Sequence, residues 1–190
     1  MTTPNMEGLA VQRRAFTSWL RDLPPEGWDD RVRAAVARIH RLYAAAVDLS
    51  VDVDVPLDSP RAAAEGLDRL ADAVEPREVR TDALMAELHD VARTLDVPTP
   101  SVAREAAVAA VVWRAADKVE APVRIVLTSG RDFVVGAGDP EGVLHTDDDA
   151  VVDVATGRAD PEVLADEGRW WFEGPDEVRI AFDRSFRIRF

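Results

Sequence analysis

Apolar residues recur every three or four positions through most of the first 120 residues and alternate with polar ones through much of the remainder. The first spacing gathers side chains on one face of a helix, the second on one face of a strand. Leu9, Phe16, Trp19 and Leu20 predict a helix over 6–23, stopped by Pro24 and Pro25. Val32, Val36, Ile39, Tyr43 and Val47 predict a second, with Asp29 or Asp30 as its cap. Ser59-Pro60 and Thr99-Pro100 each set a capping hydroxyl before a proline, which predicts helices over 60–74 and 100–119. Between these, Thr81 opens a helix carrying Leu84, Leu88, Val91 and Leu95, ended by Pro98. The Val-Asp alternation over 50–58 has strand periodicity and reads as an edge strand or an extended loop.

The pattern changes at Pro122. Val123–Leu127 and Phe133–Val135 flank a short connection containing Gly130, which predicts a β-hairpin. Asp147-Asp148-Asp149 precedes Ala150–Ala155, a stretch readable as a capped helix or as a strand. Asp160-Pro161 opens a short helix that ends at Gly168. Three strands are predicted thereafter, Trp170–Glu173, Val178–Phe182 and Phe186–Phe190, with Phe182, Phe186, Ile188 and Phe190 forming one apolar face of a last hairpin. The fold class expected is α+β: a helical bundle over 1–121, then a small α+β domain over 122–190 with antiparallel strands.

Charge changes the picture. There are 36 Asp and Glu against 23 Lys and Arg, a net charge of -13, and Lys118 is the only lysine. Such a surface repels itself in dilute buffer, but at molar salt the Debye length is about 3 Å and the repulsion collapses. The composition resembles that of a salt-in halophilic archaeon, with GC-rich actinobacterial coding bias as the other source of Arg, Ala, Asp and Val. Acidity is therefore not read as a binding surface. No apolar run approaches the roughly 18 residues of a membrane span, and no leader pattern opens the chain, so a cytoplasmic location is expected. The absence of cysteine excludes disulfides, thiolate metal sites and a cysteine nucleophile.

Asp147-Asp148-Asp149, Thr156-Gly157-Arg158, Asp160-Pro161, Leu164, Gly168 and Gly174 form a pattern over His145–Phe182 that resembles the sterol-carrier domain family, including the domain appended to mycothiol-dependent isomerase-like proteins. The resemblance implies a helix, a tight turn, a short helix and a strand, around an apolar ligand tunnel. The family closes its tunnel with a further C-terminal helix, where this chain is predicted to end on strands. Leu88-His89-Asp90-Val91-Ala92, Leu95-Asp96-Val97-Pro98 and Arg104-Glu105-Ala106-Ala107 resemble the first helices of the cyclin-type repeat of archaeal transcription factor B, which implies a transcription-associated helical protein.

Catalytic motifs are missing: Ser129 lacks a nucleophile-elbow context, and Gly136-Ala137-Gly138 is not followed by a helix. His40 and His89 are the candidate metal ligands, with Glu87 or Glu65, if the helical half resembles the thiol-transferase relatives of the isomerase family. Glu87 and His89 lie two apart and point away from each other on a helix, so both histidines are expected half-buried at stripe edges. The leading expectation is a non-enzymatic binding or interaction module adapted to high salt, needing no cofactor. Trp170, Trp171, Phe186, Arg187 and Arg189 are its expected surface for a protein partner, a second copy or an apolar small molecule. Adjacent Trp170 and Trp171 must face opposite ways if they lie on a strand, and acidic neighbours make nucleic acid a poor partner for the arginines.

Overall fold

A computed structural model describes residues 6–46, 56–74 and 81–187. The Val-Asp stretch therefore falls outside the described residues up to Val55, as do Ile188, Arg189 and Phe190. Contacts within the chain separate two units, one running to Ala106 and one beginning at Ala107. The division falls inside a helix, whereas the composition shifts at Pro122.

The first unit is built from α1 (Met6–Asp22), α2 (Asp30–Ala46), α3 (Pro60–Val74), α4 (Thr81–Thr94) and the start of α5 (Ser101–Ala116). Their starts follow the expected caps. Asp29 Oδ1 accepts the N–H of Val32 at 2.9 Å, and Ser59 Oγ accepts that of Ala62 at 3.2 Å, each satisfying an orphan donor of the first turn. At α5 the prolyl carbonyl of Pro100 accepts the first helical N–H groups, so the helix begins one residue later than the Thr99-Pro100 pair predicts. Helix α1 packs on α3 and α4, and so does α2. Trp28, just before α2, donates its indole N–H to the carbonyl of Leu57, just before α3, at 3.1 Å, so these two helices start at the same end. Arg31 at the start of α2 reaches the carbonyl of Thr94 at the end of α4, so that pair is antiparallel. Gly8 permits the approach of α1 to α5: a Cβ there would lie 2.2 Å from the Cβ of Ala106.

Leu9, Phe16, Leu20, Val36, Ile39, Tyr43, Leu67, Leu70, Leu84 and Leu88 fill the interior. Polar groups enter it as well. Arg13 and Arg21 of α1 both pair with Asp68 of α3, which also accepts the hydroxyl of Thr17 at 3.3 Å. Gln12, wholly buried on α1, has no hydrogen-bond partner for either amide atom among the described residues.

The second unit continues α5 into β1 (Val123–Leu127), β2 (Asp132–Val135), β3 (Gly142–Thr146), α6 (Asp148–Ala155), α7 (Pro161–Asp166), β4 (Trp170–Glu173) and α8 (Asp176–Ser185). The sheet order is β2-β1-β3-β4. The fold class is α+β as expected, but the sheet is mixed: β1 pairs antiparallel with β2 and parallel with β3, and β3 pairs antiparallel with β4. The parallel pair arises because the chain leaves β2 at the end where β1 begins and crosses that end directly, Glu141 donating its N–H to the carbonyl of Pro122 at 2.8 Å. The hairpin turn closes with Gly130 at φ +84, a conformation costly for any other residue.

Two expectations are corrected here. Gly142–Thr146, to which the sequence assigns no element, is a strand buried at alternate residues. Val178–Phe182 is not a strand but part of helix α8, where Val178 and Phe182, with Phe186 just past its end, recur every four residues on the buried side and Ile180 points outward; of the strand expected over Phe186–Phe190, only Phe186 and Arg187 are described. Asp176 and Glu177 in the first turn complement the helix dipole there. Over 150–155, where the sequence leaves helix and strand open, the helix forms, because Asp147 caps it by accepting the N–H of Ala150 at 2.8 Å.

The unpartnered amide of Gln12 gives a stability prediction. Since an unsatisfied buried polar group costs about 1–3 kcal/mol, Gln12→Leu raises the unfolding free energy by about 1 kcal/mol or more. The denaturant midpoint in molar salt should rise without a change in slope. A lower midpoint would show that the amide is hydrogen-bonded in solution, for instance to a buried water.

Candidate functional site

Strand alternation splits the tryptophan pair of β4. Trp170 is buried beneath the sheet and Trp171 is 58% exposed on the other side. Pairing places Trp171 beside His145, His145 beside Val126, and Val126 beside Asp132, one row across all four strands. The neighbouring row runs Glu173, Val143, Arg124, Val134. Side chains paired across adjacent strands share a face, so these eight residues form the open face of the sheet. Val134 is 47% exposed and the His145 ring stacks on Trp171 with centroids 5.0 Å apart. Arg124 pairs with Asp132 at 2.7 Å, and His145 Nε2 lies 3.7 Å from Glu173. Four of these eight side chains are apolar, and Arg124 stands among them with the carboxylates of Asp132 and Glu173.

The opposite face carries an aromatic core. Phe182 stacks on Phe186 with centroids 4.8 Å apart, and Trp170 and Phe172 tilt against them. Trp170 donates its indole N–H to Asp183 at 3.1 Å, at the floor of an open cleft of about 350 Å³ between α7, β4 and α8. Glu162, Asp166 and Arg179 line the same cleft. Burial pushes the Asp183 carboxyl above the usual carboxylate range, and neither the Trp170 hydrogen bond nor the nearby Arg179 charge restores it.

Asp147 behaves in the opposite sense. Burial raises its pKa, but Arg169, donating at 2.8 and 3.0 Å, and the N–H of Ala150 together outweigh burial and hold the carboxyl below its ordinary value. The same carboxylate raises the pKa of the Arg169 guanidinium.

Of the surface expected from sequence, only Trp171 and Arg187 are exposed among the described residues. Trp170 belongs to the core and cleft, Phe186 is wholly buried, and Arg189 lies outside the described residues. The apolar hairpin face expected of Phe182 and Phe186 is instead the inner face of α8. His40 is half-buried on α2 as expected, but His89 is wholly buried on α4 rather than half-exposed. Arg38 pairs with Glu87 and with Asp90, so the carboxylate expected to join a metal set is committed to a cation. Among the described residues no group of three His, Asp or Glu side chains is placed to hold a metal ion. His145, Val126, Val134, Val143 and Arg124 were not assigned to a surface from sequence, although the period of two in β1 and β2 already separates Val126, Val134 and Arg124 from the buried set.

Two pH predictions follow from these carboxylates. Asp147 has a depressed folded-state pKa, so its contribution to stability is present above the unfolded value near 3.8 and is lost as pH falls through the lower folded value. Asp147→Ala should cost about 1–2 kcal/mol at neutral pH as a lost cap, and the gap from wild type should close in acid, as read by denaturant titration across pH. Asp183 has a raised folded-state pKa, so folding disfavours its charged form. Asp183→Asn should be more stable than wild type at neutral pH, the difference vanishing below the unfolded value. Equal pH dependence of both variants and wild type would refute this assignment.

No protein-family model, no curated protein and no solved structure matches this chain.

Proposed function

We propose that the protein is a non-enzymatic interaction module of a high-salt cytoplasm, and that its contact surface is the open sheet face around Trp171. The exposure of Trp171 carries the reading: a large aromatic side chain stands outward on a regular sheet, beside His145 and on the same face as Val143, Val126 and Val134. Interfaces are enriched in Trp and aliphatic contact, and this face offers Trp171 with three valines. A net charge of -13 would oppose most protein contacts in dilute buffer, whereas molar salt removes that opposition and strengthens apolar burial. Among the described residues no helix is long and apolar enough to cross a membrane.

A second reading is an apolar-ligand carrier of sterol-carrier-like fold. It is favoured by the order of α6, a turn at Thr156-Gly157-Arg158, short α7 and β4, followed by C-terminal helix α8. Against it, Trp170, Phe172, Phe182 and Phe186 pack on one another beneath the sheet, in the space where an apolar guest would sit. A fluorescent fatty-acyl probe added in molar salt tests it, since saturable one-to-one binding would favour the carrier.

The interaction reading is tested by photo-crosslinking with p-benzoylphenylalanine at Val134, and at Val163 of α7 as a comparably exposed control, 56% accessible and not on the open sheet face. Val134 should yield a discrete macromolecular adduct in cells and Val163 should not. Absence of an adduct, or equal yields at both positions, overturns the assignment.

A further inference from the structure

We infer that the fold directs acid scission of the chain to one of two chemically alike peptide bonds, Asp139-Pro140 in the crossing from β2 to β3, and that the two pieces stay together when it breaks. The sequence Asp-Pro-Glu occurs twice, at 139–141 and at 160–162. An Asp-Pro bond is weak in mild acid for two reasons. The aspartyl carboxyl lies within reach of its own main-chain carbonyl, and the prolyl nitrogen, alkylated on both sides, takes a proton and leaves more easily than an ordinary amide nitrogen. The step balances with one water. A carboxyl oxygen of Asp139 bonds to the Asp139 carbonyl carbon and closes a five-membered cyclic anhydride. The bond from that carbon to the Pro140 nitrogen breaks, and the nitrogen keeps the electron pair and takes a proton. Water then opens the anhydride, leaving Asp139 with two carboxyl groups and Pro140 as a new amino terminus.

Local sequence makes the two bonds alike, and the fold makes them different. Asp160 is the N-cap of α7: its carboxyl accepts the N–H of Glu162 at 2.9 Å and its carbonyl accepts that of Leu164 at 3.1 Å. Attack there must break the first bond to free the nucleophile and the second to let the carbonyl carbon change shape. Pro161 is buried in the first turn, shielded from the acid that must protonate its nitrogen. Asp139 and Pro140, by contrast, are both exposed, and Asp139 forms no hydrogen bond or ion pair among the described residues. Its carboxyl is free to turn onto its own carbonyl.

The pieces are held across the cut by the sheet. Just past it, Glu141 donates its N–H to the carbonyl of Pro122 at 2.8 Å, and β3 then pairs with β1 from Gly142 opposite Val123 to Thr146 opposite Leu127. Ile125 and Leu144, partners in that ladder, are wholly buried. A break in an exposed loop leaves such pairing and packing in place.

The test holds the full chain in molar KCl at the lowest pH at which its circular dichroism still matches that at neutrality, and follows intact mass over days. Fragments 1–139 and 140–190 should accumulate. Cleavage at Asp160-Pro161 should be slower by about tenfold or more, since a reacting group held off its line of attack loses at least that much rate. In guanidinium chloride at the same pH both bonds should break at similar rates. Asp139→Ala should abolish the cut made in the folded chain. The fragments should elute together from size exclusion in neutral molar salt and separate only in denaturant. Equal rates at the two bonds of the folded chain, or no cut at Asp139-Pro140, overturns the first half of the inference. Fragments that part without denaturant overturn the second.

Discussion

The placement of β4 depends on the carboxylate of Asp147. This residue follows β3, caps α6 by accepting the N–H of Ala150, and accepts from both Nε and a terminal guanidinium nitrogen of Arg169, the residue that leads into β4. One side chain thereby fixes the exit of a strand, the start of a helix and the entry of the next strand. Charge-assisted bidentate pairs are the geometrically strict kind, so the register of Thr146 against Trp170 is set from one end. That register decides which tryptophan goes inward. A slip by one residue would bury Trp171 and turn out Trp170, breaking its bond to Asp183 and the aromatic core beneath the sheet.

The helical unit manages its polar interior differently. Arg13 is nearly buried, yet it is held by Asp68, which Arg21 also binds from a more exposed position. Arg38 similarly serves Glu87 and Asp90 on the facing helix. Such shared pairs make α1 specific for α3 and α2 specific for α4, which a core composed largely of Ala, Leu and Val would distinguish weakly. Arginine suits this use because its planar fork can address two carboxylates at once. A chain with one lysine and many arginines is well supplied with such groups.

Much of the helical architecture was legible because caps and stripes are local. Ser59-Pro60, Asp29 and the apolar spacings mark α1 to α4 within a residue or two and α5 within three, and Asp160-Pro161 marks α7. Gly142–Thr146 escaped because a five-residue strand bounded by acidic residues has little local signature, and its pairing partner lies on the far side of a hairpin. Helix α8 was misread because Val178, Ile180 and Phe182 satisfy a period of two as well as Val178, Phe182 and Phe186 satisfy a period near four. Only the third dimension, in which Trp170 already occupies the inner face, selects between them. The opposed tryptophans were legible from alternation alone. The companions of Trp171 were not, because His145 reaches it only through a register between distant segments. The mixed order of the sheet had the same cause.

That order also determines how copies of this chain are kept from growing into a fibre. Both edges of the sheet, β2 and β4, are only four residues long. The end of β4 turns at Gly174-Pro175 into α8, so a strand added there would find a short template and no continuation. Short edges of this kind resist lateral addition. Extension within the plane of the sheet is thus disfavoured at both sides. A sheet so bounded gives crowded copies no ready template for open-ended assembly.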